Sequence, residues 1–437
     1  MILPIYIYPQ NLLQPDSLKT YTLNQCVNYA LEHQPFLTQS IINQSIVKTS
    51  NAINLSGWLP QLSLSGSMIH YTKLPTILTA NPVPGGPPVQ SHTGVINTFN
   101  PEFSATETIF DAQLLSSAIT APIYVKQSEQ ITDSTKIFII SAVSNLFYNL
   151  LFTLEQVKIL EEDTARLGRT VNDTHDQFLG GIVDETDYDQ AVITLNNSRA
   201  QLKLQNENVV PGYASLKQLM GYPQDKQFAV VFDTTNMDHE INFDTTKQLQ
   251  YENRIEYKQL QTEKEIQHQQ KVYYELSFLP SVSVFYNYYF EYQNNTFSNL
   301  FKINYPYSFF GISVNLPLFT GLSRIESIHK ASLEEEILDQ DEINLRSQIY
   351  KEYTIAMADY KSSLYNWNLL KENQALAINV YHIVSLQYEE GIIPYLNLII
   401  AESNLITAET GYVNALFQLL SSKISLQKAM GEIKIDY

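Results

Sequence analysis

The chain has 437 residues, with 27 Lys and Arg against 45 Asp and Glu and a formal net charge of −18. That balance excludes nucleic acid as a partner, because no face can neutralise phosphates. Low glycine (15) excludes a collagen-like or low-complexity chain, and the single cysteine excludes an intrachain disulfide.

The opening, Met1-Ile2-Leu3-Pro4-Ile5-Tyr6, lacks the basic stretch and continuous apolar run of an export signal. It reads as a cytosolic start, or as Met1 standing in place of a removed leader. Residues 1–20 read as a tail. A helix follows from Tyr21 towards Pro35, with Cys26 as a packed thiol. Two faint strands lie at about 59–73 (Leu62, Leu64, Met68) and about 99–110 (Phe103, Ala105, Ile109). Residues 74–98 carry Pro75, Pro82, Pro84, Pro87, Pro88 and Gly85-Gly86, the composition of an exposed loop.

From 111 to 179 only Pro122 and Gly168 interrupt good helix formers. At ~1.5 Å per residue, such a segment spans ~100 Å. Residues 137–154 hold no charge, but their polar Ser141, Ser144 and Asn145 predict a buried helix rather than a membrane span. Ile140, Val143, Phe147, Leu150, Leu154 and Val157 have coiled-coil spacing. Gly180-Gly181 can turn the chain back into a return helix over about 185–220. Pro211 predicts a kink there. A linker follows at 222–246.

Stronger strand signals come next, at about 279–292 and 307–319. Val282, Val284, Tyr286, Tyr288, Phe290 and Tyr292 fall on one face, with Ser281, Ser283, Phe285, Asn287, Tyr289 and Glu291 on the other. Phe310, Ile312, Val314, Leu316 and Leu318 alternate with Gly311, Ser313 and Asn315. Apolar outside, polar inside and 29 tyrosines fit a transmembrane β-barrel with an aromatic girdle. Val282, Val284, Tyr286, Tyr288, Phe310, Ile312 and Val314 are its expected lipid-facing residues. A second hairpin occupies about 321–430, turning at Gly391, before a tail at 432–437. Its acidic run Glu334-Glu335-Glu336, Asp339, Asp341 and Glu342 reads as a solvated face. Its return helix bears two apolar stripes, one through Leu396, Ile399, Val413 and Phe417, the other through Leu398, Leu405, Leu416 and Leu426. Two stripes imply neighbours on two sides.

The two halves echo each other. Residues 177–221 align without a gap on 387–431: Gly181 falls on Gly391, Ala191 on Ala401, Met220 on Met430 and Gly221 on Gly431. Upstream, Gly57-Trp58-Leu59-Pro60 matches Ser277-Phe278-Leu279-Pro280. One unit was duplicated, giving repeats at 21–221 and 247–431. The expected fold is a mixed α/β membrane protein, with a long α-helical barrel continuous with a transmembrane β-barrel. Four strands cannot close such a barrel, whose smallest members have about eight strands. Copies must share it, and three copies supply twelve strands.

Catalytic motifs are missing. The eight histidines form no i, i+4 pair, and no phosphate or dinucleotide loop occurs. Asp184, Asp187 and Asp189 are too closely spaced for a calcium loop. No enzyme activity, cofactor or metal is expected.

Taken together, Tyr21 to Pro35, Leu59-Pro60, Leu279-Pro280, Leu316-Pro317-Leu318-Phe319-Thr320-Gly321 and Tyr388-Glu389-Glu390-Gly391 resemble the TolC-like outer-membrane efflux family over about 20–431. The resemblance implies a homotrimer in the Gram-negative outer membrane, with a twelve-stranded barrel in lipid and a periplasmic helical tunnel. The linker and termini would form a belt around that tunnel. It also implies a periplasmic adaptor and an inner-membrane pump of RND, ABC or MFS type, the protein itself being a passive exit duct for efflux or type I secretion. The family's acidic aperture maps to Asp184, Glu185, Asp187 and Asp189 in the first hairpin. In the second, Asn397 stands opposite Asp187 and is uncharged. Gly180, Gly181, Ile182, Val183, Gly391, Ile392 and Ile393 form the expected adaptor-docking tip, with four exposed aliphatic side chains. Two alternatives are a non-transporting helical stalk, which has no use for a lipid-facing band, and an adaptor-like protein, which has one hairpin rather than two.

Overall fold

The computed structural model describes residues 19–232 and 241–435. The expected tail before residue 19, the middle of the linker and the last two residues lie outside them. The elements in order are β1 (Thr20–Tyr21), α1 (Leu23–His33), α2 (Pro35–Leu55), β2 (Gln61–His70), β3 (Thr76–Thr79), β4 (Val89–His92), β5 (Asn97–Phe110), α3 (Ala112–Leu179) and α4 (Glu185–Met220). There follow β6 (Ala229–Val230), α5 (Ile255–Leu276), β7 (Ser281–Tyr289), β8 (Tyr292–Asn294), β9 (Tyr307–Asn315), α6 (Ser323–Glu389) and α7 (Tyr395–Met430). The chain divides into two compact units.

One unit comprises residues 43–128 and 260–340. Its centre is an antiparallel sheet in the order β2-β5-β7-β9, with β8 added to the start of β5. The register places Leu62 beside Ala105, Ala105 beside Tyr286 and Tyr286 beside Phe310. The next row on that face is Leu64, Phe103, Tyr288 and Ser308. The opposite face runs through Ser63, Ser104, Asn287 and Phe309. Period-two alternation therefore yields one mainly apolar surface, which also carries Glu107 beside Val284 and Ile312, and one mainly polar surface. β2 and β9 each have one partner, so each leaves an edge of unpaired backbone groups.

Several expectations change here. The strand expected to reach 292 leaves the ladder after Tyr289, and β8 resumes against β5. The last expected strand stops at Asn315 rather than 319, leaving Leu318 and Phe319 exposed. Ile109 falls in a bulge, and Phe110 takes the place opposite Val282. The proline-rich loop contains the ribbon β3-β4. The acidic run on α6 is not simply solvated. Lys264 donates to Asp339 at 2.8 Å, Lys271 to Glu335 at 2.8 Å, and Lys330 pairs with Glu334 at 3.6 Å. The first two pairs join α5 to α6 and the third lies within α6; such solvent-accessible pairs fix register more than they stabilise.

The other unit takes residues up to 42, 129–259 and from 341 onward. Its core joins Ile140, Val143, Phe147 and Leu150 of α3 to Leu216 and Met220 of α4 and to Phe417 and Leu420 of α7. Within the charge-free 137–154 segment Ile139, Ile140, Val143, Phe147 and Leu150 are buried against this core, whereas Phe138 remains 51% exposed. α4 remains helical through Pro211. Beside it Gly212 lets Leu150 approach: an added Cβ would lie 3.0 Å from Leu150. Cys26 is buried, and burial pushes its thiol up to about 12, so it stays protonated and unreactive. β1 and β6 pair in parallel, a contact too short to leave a sequence pattern.

The duplication is visible as matched joints. Gly221 and Gly431 end α4 and α7 at φ 68° and 69°. Beyond them Tyr222 donates to Lys217, and Glu432 to Gln427, each at 2.8 Å. In the first repeat the Gln34 side chain donates to the Leu219 carbonyl at 2.8 Å. In the second, Arg254 donates to the carbonyl of Ala429, the duplicate of Leu219, at 3.0 Å. Different side chains thus satisfy the same orphan helix-end carbonyl.

Candidate functional site

The two hairpin turns share one geometry. Gly181 and Gly391 both sit at φ 70°. Ile182 N donates to Gln177 O at 2.9 Å, and Ile392 N to Gln387 O at 2.8 Å. Gly181 N reaches Phe178 O at 3.0 Å, and Gly391 N reaches Tyr388 O at 2.9 Å. Both are Schellman closures, in which a left-handed residue turns the chain and occupies the last carbonyls. Of the four aliphatic residues expected to be exposed, two are: Ile182 at 76% and Ile392 at 69%. Val183 is half-buried, and Ile393 packs on a small cluster of Ala191, Tyr388, Tyr395 and Leu398. Gly180 is exposed beside them.

The acidic residues stand at the start of α4. Asp184 occupies the N-cap position with no side-chain capping bond, and Glu185 and Asp187 lie in the first turn. Asp184, Glu185 and Asp189 are exposed and Asp187 is half-buried. Their charges oppose the positive end of the helix dipole, which holds for any helix start. Asn397, in the first turn of α7, is exposed.

Behind the turns lies a group that no sequence motif revealed. Asp163 and Arg166 on α3 face Ser198 on α4 and Glu402 and Glu409 on α7. Asp163 and Glu402 are each 1% exposed. Ser198 donates to Asp163 at 2.6 Å, and Arg166 lies 3.5 Å from Asp163 and 3.9 Å from Glu409. The Arg166 guanidinium also covers the Tyr381 ring at 5.6 Å. Neither carboxylate oxygen of Glu402 has a hydrogen-bond partner among the described residues. Burial, then the nearby Asp163, pushes Glu402 up to about 7. One signal pointed there: Glu402 interrupts the buried stripe between Leu398 and Leu405, where its duplicate is Val192. Nearer the turn, Tyr388 donates to Gln177 at 3.0 Å, linking α6 to α3.

The first apolar stripe of α7 is only half covered. Val413, Phe417 and Leu420 are buried, whereas Leu396 and Ser403 remain open.

Residues 26–222 match the family model described as outer membrane efflux protein. That stretch of the chain is therefore similar to outer membrane efflux proteins. Its fold has solved counterparts at low identity. The outer membrane protein VceC of Vibrio cholerae is 16% identical, with a TM-score of 0.71 over 94% of this chain and 96% of that one. The CmeC outer membrane channel of Campylobacter jejuni is 19% identical, with a TM-score of 0.74 over 95% and 87%. The open MtrE channel of Neisseria gonorrhoeae is 17% identical, with a TM-score of 0.70 over 94% and 88%. No curated protein sequence matches the chain. The chain therefore shares the fold of these channels, with a strand set and two long helical hairpins.

Proposed function

We propose that the chain is a TolC-like outer-membrane efflux protein, the passive exit duct of a tripartite efflux or type I secretion system. It works as a homotrimer, receiving cargo from a periplasmic adaptor and an inner-membrane pump. The observation that carries this reading is the sheet: one mainly apolar face, interrupted by Glu107, one mainly polar face and two open edges. Backbone groups at those edges have no water to bond inside lipid, so other copies must pair with them. Val282, Val284, Tyr286, Tyr288, Phe310, Ile312 and Val314 lie on the apolar face and are assigned to lipid. A helical stalk would have no use for that face. The half-covered stripe on α7 leaves room for a neighbouring copy.

The test is assembly. Protein extracted from outer membranes in detergent should run at three times the 50.0 kDa of one chain and open steady pores in planar bilayers. A monomer in micelles, or bilayers without pores, would end the proposal.

The turns are assigned to adaptor docking and the acids after Gly181 to the aperture. Ile182→Asp with Ile392→Asp should abolish co-purification of the adaptor while leaving trimer mass and conductance intact, because both side chains project from the fold. Undiminished co-purification would reject the docking assignment. Replacing Asp184, Glu185, Asp187 and Asp189 by their amides should bring the ratio of cation to anion permeability towards parity, read from reversal potentials. An unchanged reversal potential would reject the aperture assignment.

A further inference from the structure

The face of the sheet opposite the lipid set is mostly Ser, Thr and Asn, yet it carries a compact aromatic group. Glu102, Tyr289 and Tyr307 lie in one cross-strand row from β5 to β9. Tyr289 donates to a Glu102 carboxylate oxygen at 2.7 Å. The Tyr289 and Tyr307 rings stack at 4.6 Å and 10°. Phe309 lies nearly parallel to Tyr289, with centroids 6.0 Å apart. Phe285 meets Phe309 edge-on at 6.2 Å. Phe285 has a structural task, because its ring lies across Gly311, where an added Cβ would come within 2.6 Å. Tyr307 and Phe309 have no such cover and remain 47% and 44% exposed. Among the described residues of β2, β5, β7 and β9, Glu102 is the one charged side chain on this face.

We infer that Glu102, Tyr289, Tyr307 and Phe309 form a lumenal binding site for lipophilic aromatic cations, repeated in each copy around the pore. The inference rests on the duct reading, which makes this face the lumen. Aromatic faces carry negative quadrupole potential and attract a cation within about 6 Å. A carboxylate at the same level adds charge complementarity that an anion of equal size would lack. Ser and Asn neighbours offer neither, so the site is a local stop along a wall that is otherwise weakly interacting. Weak binding at such a stop suits a conduit, since cargo must leave as readily as it arrives.

The experiment is channel block in planar bilayers with the full-length protein, comparing tetraphenylphosphonium with tetraphenylborate, an anion of the same shape. Tetraphenylphosphonium should reduce the single-channel current at concentrations where tetraphenylborate does not. Glu102→Gln should raise its half-blocking concentration about tenfold, and Tyr307→Leu about threefold, each measured as fractional block of that variant's own open current. Tyr289→Phe keeps the ring stack and should retain most of the block, and Glu102→Asp should restore part of it. Equal block by the two ions, or an unchanged half-blocking concentration in Glu102→Gln, overturns the site. Bilayers with no pore at all overturn the duct reading, and the site with it.

Discussion

Gly221→Ala should cost the fold about 2–5 kcal/mol, whereas Gly181→Ala should cost only about 1 kcal/mol. Both glycines are left-handed, so an alanine at either carries the same intrinsic penalty. Their surroundings differ. Nothing lies within 4 Å of a Cβ added at Gly181. At Gly221 that atom would stand 2.5 Å from the His33 carbonyl oxygen and 3.1 Å from the Gln34 Cα. Those are backbone atoms of the junction between α1 and α2, and the Gln34 bond to Leu219 holds that junction against the helix end. It can yield only by breaking that bond or shifting α1. Gly431 repeats the situation, with Asn253 O at 2.7 Å, whereas Gly391 is as open as Gly181. Thermal unfolding in detergent checks the contrast. Equal melting temperatures for the Gly221 and Gly181 variants would refute it.

Glu402→Gln should raise stability at pH 8 by up to about 3 kcal/mol and remove a pH dependence that the native chain shows. Folded Glu402 titrates at about 7, above the ordinary 4.5. Between those values the folded state binds more protons than the unfolded one. Stability is therefore full below about pH 4.5, falls as pH rises through 7, and is level above that. The groups facing it fix the sign. Asp163 is itself raised by burial, partly offset by the Ser198 hydroxyl and Arg166. Glu409 is raised by burial too, and Arg166 is the one cation beside it among the causes of its shift. Across three acids and one guanidinium, a proton is the least costly way to balance the buried charge. Glutamine keeps the shape of the protonated acid, so the variant should match the native chain at pH 4 and exceed it at pH 8. Melting curves across pH 4–8 read this directly. A variant that follows the native pH profile would show that Glu402 is ionised throughout.

Much of the architecture was legible because it rests on local rules. Long stretches with almost no glycine or proline gave α3 and α6, and a glycine past each end gave the turns. Alternation gave the two faces of β7 and β9, and the gapless match of 177–221 to 387–431 placed both helix-end joints. What escaped depends on distant partners. Phe290 and Leu318 keep the alternation going after the backbone has left the ladder, so the strand ends were overrun. Ile109 looked like another inward or outward step until the bulge removed it. The acids of α6 looked solvated because Lys264 and Lys271, which answer them, lie on another helix. At the turns, the exposure of Ile182 and Ile392 was legible, but the cover over Ile393 comes from Tyr388 and Leu398. The buried Glu402 group draws on three helices, and only its mismatch with Val192 hinted at it.

The open edges of β2 and β9 also bear on inheritance. In the wall proposed above, built from several chains, no part is private: each seam would belong to two molecules at once. Damage to one edge strand would then be shared with an intact neighbour, and a defective gene product would silence a healthy one made in the same cell.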